Sequence, residues 1–420
     1  MTPPPPSLPA TEERLYTRQF FQVFGAVMLF MTGVALQFHF GEYVEFLGHD
    51  VQTLGWVLGI SVFGTLASRL HIGRWIDRFG CRPTWLVGAV IVAVTAGLVQ
   101  FTGRLWLIVL LRTISVMATA AVMTTVAVFA ALIAPPQRRA ESLGTIGLGG
   151  FTGMIIGATL GDFIFGGGTD SAFPFRVFFT ASAACALAAG LVMVSLDVSK
   201  TLGERRPLMP QAAESAPLGP SQLRMIRLHW PGMILLVGLV FHMAFCLQSS
   251  FLERLADARR FQNIKLFFLV YGPTAITLRL LCRRLPEQLG RSRTLVGGLV
   301  LFAAGIFSLA GVHAEWQLVL PGLLMGAGHC FIFPSMVDLA AERLPGEYRG
   351  TGTALILGAG DLGLLLGFII FGSVIDHYGF DLALQALASS VLVGAALYAL
   401  SRWRVLLGLA PDMEAVQSRA

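Results

Sequence analysis

Two ionisable side chains stand inside long apolar stretches: Arg112 in LLRTISVMATAA and Asp361 in RGTGTALILGAGDLGLLLG. A charge inside such a stretch is expensive in lipid and points first to function. The Arg112 guanidinium can contact an anionic group of a solute or act electrostatically on a neighbouring carboxylate; its plainer role is a structural arginine paired with carbonyls or a carboxylate. Asp361 lies about nine residues into its stretch, ~14 Å deep at the helical rise, near the middle of a bilayer. A carboxyl there is able to carry a proton, and its plainer role is a hydrogen-bonded packing group. Gln22, Gln37, His242, Gln248 and His329 stand on other apolar stretches and complete the candidate substrate and coupling set. A lone histidine such as His39, His242 or His329 on an apolar helix reads first as a packing residue. Glu42, Glu45 and Asp50 crowd one turn and Asp162 stands near another, which reads as a solvated acidic mouth rather than an ion site.

Other chemistries lack their residues. No G-x-x-x-x-G-K-[ST] loop is present to cradle ATP phosphates, and no H-E-x-x-H or nucleophile elbow appears. The five cysteines (Cys81, Cys185, Cys246, Cys282, Cys330) are widely spaced without C-x-x-C and read as small buried hydrophobes. No cofactor or metal is expected. A membrane-embedded enzyme would need convergent His, Asp and Ser; His39, His242 and His329 lie on separate stretches and leave that reading open.

The stretches themselves must position these groups. The chain has 420 residues, of which 55% are hydrophobic and 13% charged, against about 25% charged in soluble domains. Apolar runs near 19–40, 52–72, 84–103, 105–133, 143–165 and 172–196 are followed by a second set near 230–252, 264–282, 294–311, 318–341, 352–375 and 382–401. A spanning helix takes about 20 residues. Continuous apolar runs fit helices rather than the alternating strands of a barrel. The fold class expected is therefore an all-α membrane protein with twelve transmembrane helices in two six-helix bundles. With a cytoplasmic N-terminus, 23 of the 30 Lys and Arg residues fall on the inner side and 6 on the outer side, with Arg112 within a run. Both termini are thus expected inside a plasma (inner) membrane crossed many times. The seven Trp residues fall near the ends of runs, as interfacial anchors would. No clustered basic face suggests nucleic acid.

The halves repeat. GRWIDRFGCRPT after the second run has a counterpart in CRRLPEQLGRSRTL after the eighth: Gly80 matches Gly290 and Asp77 matches Glu287, both 210 residues apart. Pro135 and Arg139 match Pro345 and Arg349 at the same offset. The segmentation expected is 1–18 as a proline-rich, disordered cytoplasmic N-terminus rather than a cleaved signal, 19–196 and 229–404 as six-helix units, 197–228 as a cytoplasmic linker and 405–420 as a tail. In the fifth run, glycines 149, 153, 157 and 161 recur every fourth residue and invite close approach of another helix.

On these residues the chain resembles the major facilitator superfamily of secondary transporters over nearly its whole length. Gly73-x-x-x-Asp77-Arg78-x-Gly80-x-Arg82 is similar to the superfamily's signature loop, and the later GAGHCFIFPS and RGTGTALILGAGDLGLLLG are similar to its bacterial drug and sugar efflux branch. The resemblance implies a central cavity lined by helices 1, 4, 7 and 10, and no enzymatic activity. It implies a conformational latch at Gly73, Asp77, Arg78, Gly80 and Arg82, with Glu287, Gly290, Arg291, Glu342, Arg139 and Arg349 as the related positions. Family members carry Arg where Cys81 stands and an acid where Leu132 stands; 210 residues on, this chain has Arg291 and Glu342, so the charge pair is expected in the second half. Antiporters of the family often have Gly-Pro where Gly157-Ala158 stands. The resemblance implies alternating-access transport of a small molecule by a monomer, as efflux and with protons as the exchanged ion. Proton-coupled uptake, and a non-transporting sensor on the same scaffold, are the alternatives.

Overall fold

The computed structural model describes residues 15–133, 139–165, 171–196, 220–261, 264–282, 285–344 and 349–407. Twelve helices cross the molecule: α1 (Arg18–Phe46), α2 (Val51–Phe79), α3 (Cys81–Val99), α4 (Leu105–Ile133), α5 (Arg139–Phe165), α6 (Ala172–Val194), α7 (Met233–Ala258), α8 (Lys265–Leu281), α9 (Arg291–Ala310), α10 (Val319–Ala341), α11 (349–378) and α12 (380–401). The last two are continuous except at Gly379, whose φ of 78° breaks the helix. Gly80 and Gly290 close α2 and open α9 with φ of 84° and 89°, a left-handed geometry that glycine adopts without Cβ strain. Asp50 caps α2, accepting from the Thr53 amide at 2.7 Å; the Thr53 side chain and then this amide hold its carboxyl below the usual range.

The packing has the symmetry of the repeat. In the first half α1 packs on α5 and α6, α2 on α4, and α3 on α4 and α6; in the second, α7 packs on α11, α8 on α10, and α9 on α10 and on the Arg349–Ser401 pair. The halves meet through α2 against α11 and through α5 against α8, two contacts that the same repeat interchanges. Close approach depends on glycine. A Cβ at Gly153 would lie 2.2 Å from the Met28 carbonyl oxygen, and one at Gly157 would lie 2.4 Å from that of Thr32. Their counterparts 210 residues on, Gly363 and Gly367, stand 2.1 Å and 2.5 Å from the Leu239 and Met243 carbonyls of α7 by the same measure.

Six of the seven Trp residues are exposed, as membrane-interface anchors require. Trp85 is the exception: it is fully buried between Phe30 and Phe129, with ring centroids 6.2 and 6.5 Å away. It serves the core of the first half, not the interface.

Candidate functional site

Helices α1 and α7 lose regular α geometry at matching places. In α1 a 3₁₀ turn spans Gln37–His39; in α7 a π turn spans Leu247–Phe251. The two turns begin 210 residues apart and touch. The first is tighter and the second wider than an α-helix, and irregular turns of both kinds occur at functional sites because they redirect side chains without ending the helix. Here they aim Gln37, His39, Gln248 and Ser250 inward.

A cavity of about 170 Å³ lies beside the α1 turn. Its wall is mostly from the first half, with Gln37 and Phe40 of α1, Ser61 of α2, Thr95 of α3, Arg112, Ser115 and Thr119 of α4, and Ser182 of α6. The second half closes it with Ser249 and Ser250 of α7 and Leu364 and Phe368 of α11. Among the described residues Arg112 is the one cation that lines it. The guanidinium sits over the Phe40 ring, 4.5 Å from the centroid, a favourable cation–π geometry in a desolvated site. Its Nη1 donates to Gln37 Oε1. Gln37 Nε2 in turn donates to Ser182 Oγ at 3.0 Å, and that hydroxyl donates to the Gly33 carbonyl at 2.9 Å. Arg112 Nε is buried without a hydrogen-bond partner, and among the described residues no carboxylate forms an ion pair with Arg112. Beyond the bond to Gln37, the arrangement leaves Arg112 Nε open to a further acceptor that no described residue supplies.

A second polar chain lies in the other half. Gln248 Nε2 donates to Tyr271 Oη at 3.1 Å, and Tyr271 Oη is hydrogen-bonded to His329 Nδ1. Phe151, Phe241 and Phe245 ring the imidazole with centroids 5.4–5.6 Å away. His242 points back to the Gly238 carbonyl at 2.9 Å and occupies the space left by Gly360. Gln22 lies elsewhere: its amide donates to Ser195 Oγ at 3.1 Å, tying α1 to the end of α6. Asp361 is half-buried in α11 and is not among the described residues lining the cavity.

Among the signature-loop positions and their counterparts in the second half, Arg291 Nη1 donates to Glu342 Oε1, joining α9 to the end of α10. Arg82 Nη2 donates to the Val194 carbonyl at the end of α6. Arg78 lies 5.3 Å from the Phe79 ring centroid. The side chains of Gly73, Asp77, Glu287, Arg139 and Arg349 lie outside the described residues.

The acidic turn departs from its expected solvation. Glu42 and Asp162 are 8% and 9% exposed. Arg254 of α7 donates to the Gly41 carbonyl and pairs with Glu45, with Asp257 at 3.6 Å. Asp162 accepts from the Ile264 amide at 3.4 Å. His39, 0% exposed, joins this group between α5 and α7. The mouth is buried because the second half covers it, a partner some 200 residues away in sequence; only Glu45 and Asp50 stay exposed. No sequence periodicity signals such a contact.

A family model described as Major Facilitator Superfamily matches residues 19–286 and 261–407. An uncharacterized MFS-type transporter of Salmonella typhimurium is 23% identical over 355 residues, covering 82% of this chain and 85% of that protein. Multidrug resistance protein MdtG of Dickeya zeae is 24% identical over 384 residues, covering 87% of this chain and 90% of its own. Among solved structures, a D-xylose–proton symporter superposes with a TM-score of 0.73 over 90% of this chain and 96% of that one, at 16% identity. Nucleoside transporter NupG gives 0.72 over 91% and 99%, at 13% identity. These structures share the fold of two six-helix halves, and the family match spans both. The chain belongs to the Major Facilitator Superfamily, and is a multi-pass membrane transporter rather than an enzyme.

Proposed function

We propose that this transporter exports a small amphipathic solute bearing an anionic or strongly accepting group, across the cell membrane, in exchange for protons. Residues 19–196 and 229–404 act as the two rocking units on either side of the 197–228 linker, both termini are cytoplasmic, and the working unit is a monomer. The observation that carries the reading is Arg112: a cation in a largely apolar cavity at the junction of the halves, held by Gln37 and Phe40 and lacking a carboxylate partner among the described residues. A buried unpaired charge is costly, and an incoming acceptor group relieves that cost. The apolar wall supplies the complement for the rest of the solute. Similarity to multidrug resistance proteins supports the outward direction.

The test is flux in proteoliposomes against organic anions, organic cations and sugars of similar size, with and without an imposed pH gradient. Aromatic or alkyl carboxylates are expected to be the preferred class, expelled faster when the receiving side is acidic. Arg112→Gln should lower that flux ~10-fold or more, the loss of a charge-assisted hydrogen bond of about 1.5–3 kcal/mol. Equal flux by Arg112→Gln would remove the arginine from recognition; stoichiometric binding without flux would favour a sensor.

A further inference from the structure

We infer that His39 and Glu253 hold a single proton between them across the junction of the two halves, and that this face opens only when the proton leaves. Neither residue belongs to the substrate cavity. His39 ends the 3₁₀ turn of α1, and its ring fits a slot that exists because position 161 is glycine: a Cβ there would lie 2.2 Å from His39 Cδ2. Phe165 stacks on the other side, with centroids 5.6 Å apart. The ring is therefore fixed in rotation.

Its two nitrogens meet different partners. Nε2 lies 3.3 Å from the Ala158 carbonyl oxygen. A carbonyl only accepts, so this contact is satisfied when Nε2 carries its hydrogen. In the neutral ring Nδ1 is then a bare lone pair, and it faces Glu253 Oε1 at 3.2 Å. Two acceptors at hydrogen-bond distance repel unless one of them is protonated. No other described group donates there: His39 Nδ1 and Glu253 Oε2 are buried without hydrogen-bond partners.

The charge balance points the same way. Facing the pair are Glu42 and Glu45 of α1, Asp162 of α5, at 3.9 Å from Nε2, and Arg254 and Asp257 of α7; Lys265 of α8 acts on Asp162. Of these, Glu45, Asp257 and Lys265 reach the surface, while Glu42, Asp162 and Glu253 are buried with Arg254 as their one buried cation among the described residues, a setting in which an uncompensated carboxylate is costly. A proton on the His39–Glu253 pair lowers the imbalance and turns a repulsive contact into a charge-assisted hydrogen bond that ties α1 to α7. When the proton passes to water, a neutral imidazole and a carboxylate remain, and they repel across the junction. His39, Glu42 and Glu253 also bring one ligand atom each within 4.8 Å of the others, so a divalent cation is the rival occupant. The 3.2 Å separation is that of a hydrogen bond and favours the proton.

This inference rests on the alternating-access reading, and names where its exchanged ion sits. The test uses the full chain in nanodiscs, with the native cysteines replaced by alanine and spin labels on Phe101→Cys and Trp316→Cys, exposed positions on the α3–α4 and α9–α10 turns. At pH 5.5 a single short distance is expected, and at pH 8.5 a second, longer population. Glu253→Gln, whose amide N–H donates to Nδ1 without titrating, should keep the short distance at both pH values. His39→Phe, which keeps a ring in the slot, should lose the pH response as well. A wild-type distance that ignores pH, or a wild-type response in both variants, would overturn the assignment. So would a closed state at pH 8.5 that appears with added Zn²⁺ and reverses with a chelator. Absence of flux in the proteoliposome assay would instead sink the transport reading and leave the pH-dependent distance standing.

Discussion

At the scale of single residues, the cavity arginine and the buried tyrosine illustrate opposite uses of polarity. Arg112 keeps Nε unsatisfied, whereas Tyr271 satisfies two neighbours through one hydroxyl. Tyr271→Phe should therefore strand both Gln248 Nε2 and His329 Nδ1, at about 1–3 kcal/mol for buried groups left unpaired. Thermal unfolding of the purified protein in detergent should show that loss, while Arg112→Gln should leave the unfolding midpoint within a degree or two of wild type. An equal drop in both would mean that Arg112 is structural. Asp50 adds a pH dependence outside the membrane. Its carboxyl is held low by the Thr53 side chain and amide, so the cap stabilises α2 above the unfolded carboxylate pKa of about 3.9 and is lost as pH falls through the lower folded value. Asp50→Ala should cost roughly 1 kcal/mol at neutral pH and have no effect in strong acid, read from amide exchange at the start of α2. The sequence exposed Arg112 because charge inside an apolar run is rare. It misplaced Glu42 and Asp162 because their burial is supplied by α7 and α8, whose approach no local pattern encodes.

At the scale of elements, the twelve runs were legible because lipid demands length and apolarity, and the turns were legible because Gly80 and Gly290 interrupt charged loops at one offset. The glycine stripe of α5 announced a close neighbour, and α1 proves to be that neighbour. In α11 the sequence marks Gly358, Gly360 and Gly363 as a place for another helix to pack, but Gly367 and the 210-residue match of Gly363 and Gly367 to Gly153 and Gly157 went unread. The two irregular turns, Gln37–His39 and Leu247–Phe251, left no signature either, since a change of helical pitch alters hydrogen-bond register and not composition. The stripes make a prediction about symmetry. Gly153→Ala and Gly363→Ala each set a methyl against a backbone carbonyl that cannot rotate away. Each should cost about 1–3 kcal/mol by overpacking. Gly97→Ala, where nothing lies within 4 Å of the added Cβ, should be neutral or stabilising. A similar loss at all three positions, measured by thermal unfolding, would show that the stripes reflect general helix propensity and not close packing.

At the scale of the whole molecule, contacts between the halves gather on the face that carries the α1–α2 and α7–α8 turns. There Gly55 admits the Phe368 backbone, with a Cβ-to-oxygen distance of 2.4 Å, and Gln52 Nε2 reaches Ser373 Oγ at 3.5 Å. Phe38 of α1 stacks on Phe268 of α8 at 5.6 Å, and Arg254 clasps Gly41 and Glu45. On the topology proposed from the charge bias this face is the outer one, and these contacts close it. Transport by rocking requires that these contacts separate once per cycle. Gln52 and Ser373 join helices of opposite halves near the rim, which makes them a direct test. In a background without other cysteines, Gln52→Cys with Ser373→Cys, bridged by a short bis-maleimide, should stop flux while leaving solute binding from the cytoplasmic side intact. Each single variant, treated with the same reagent, should retain flux. Continued flux with the bridge formed would mean that the halves do not part on this face, and that the His39–Glu253 contact and the α2–α11 seam are fixed structure.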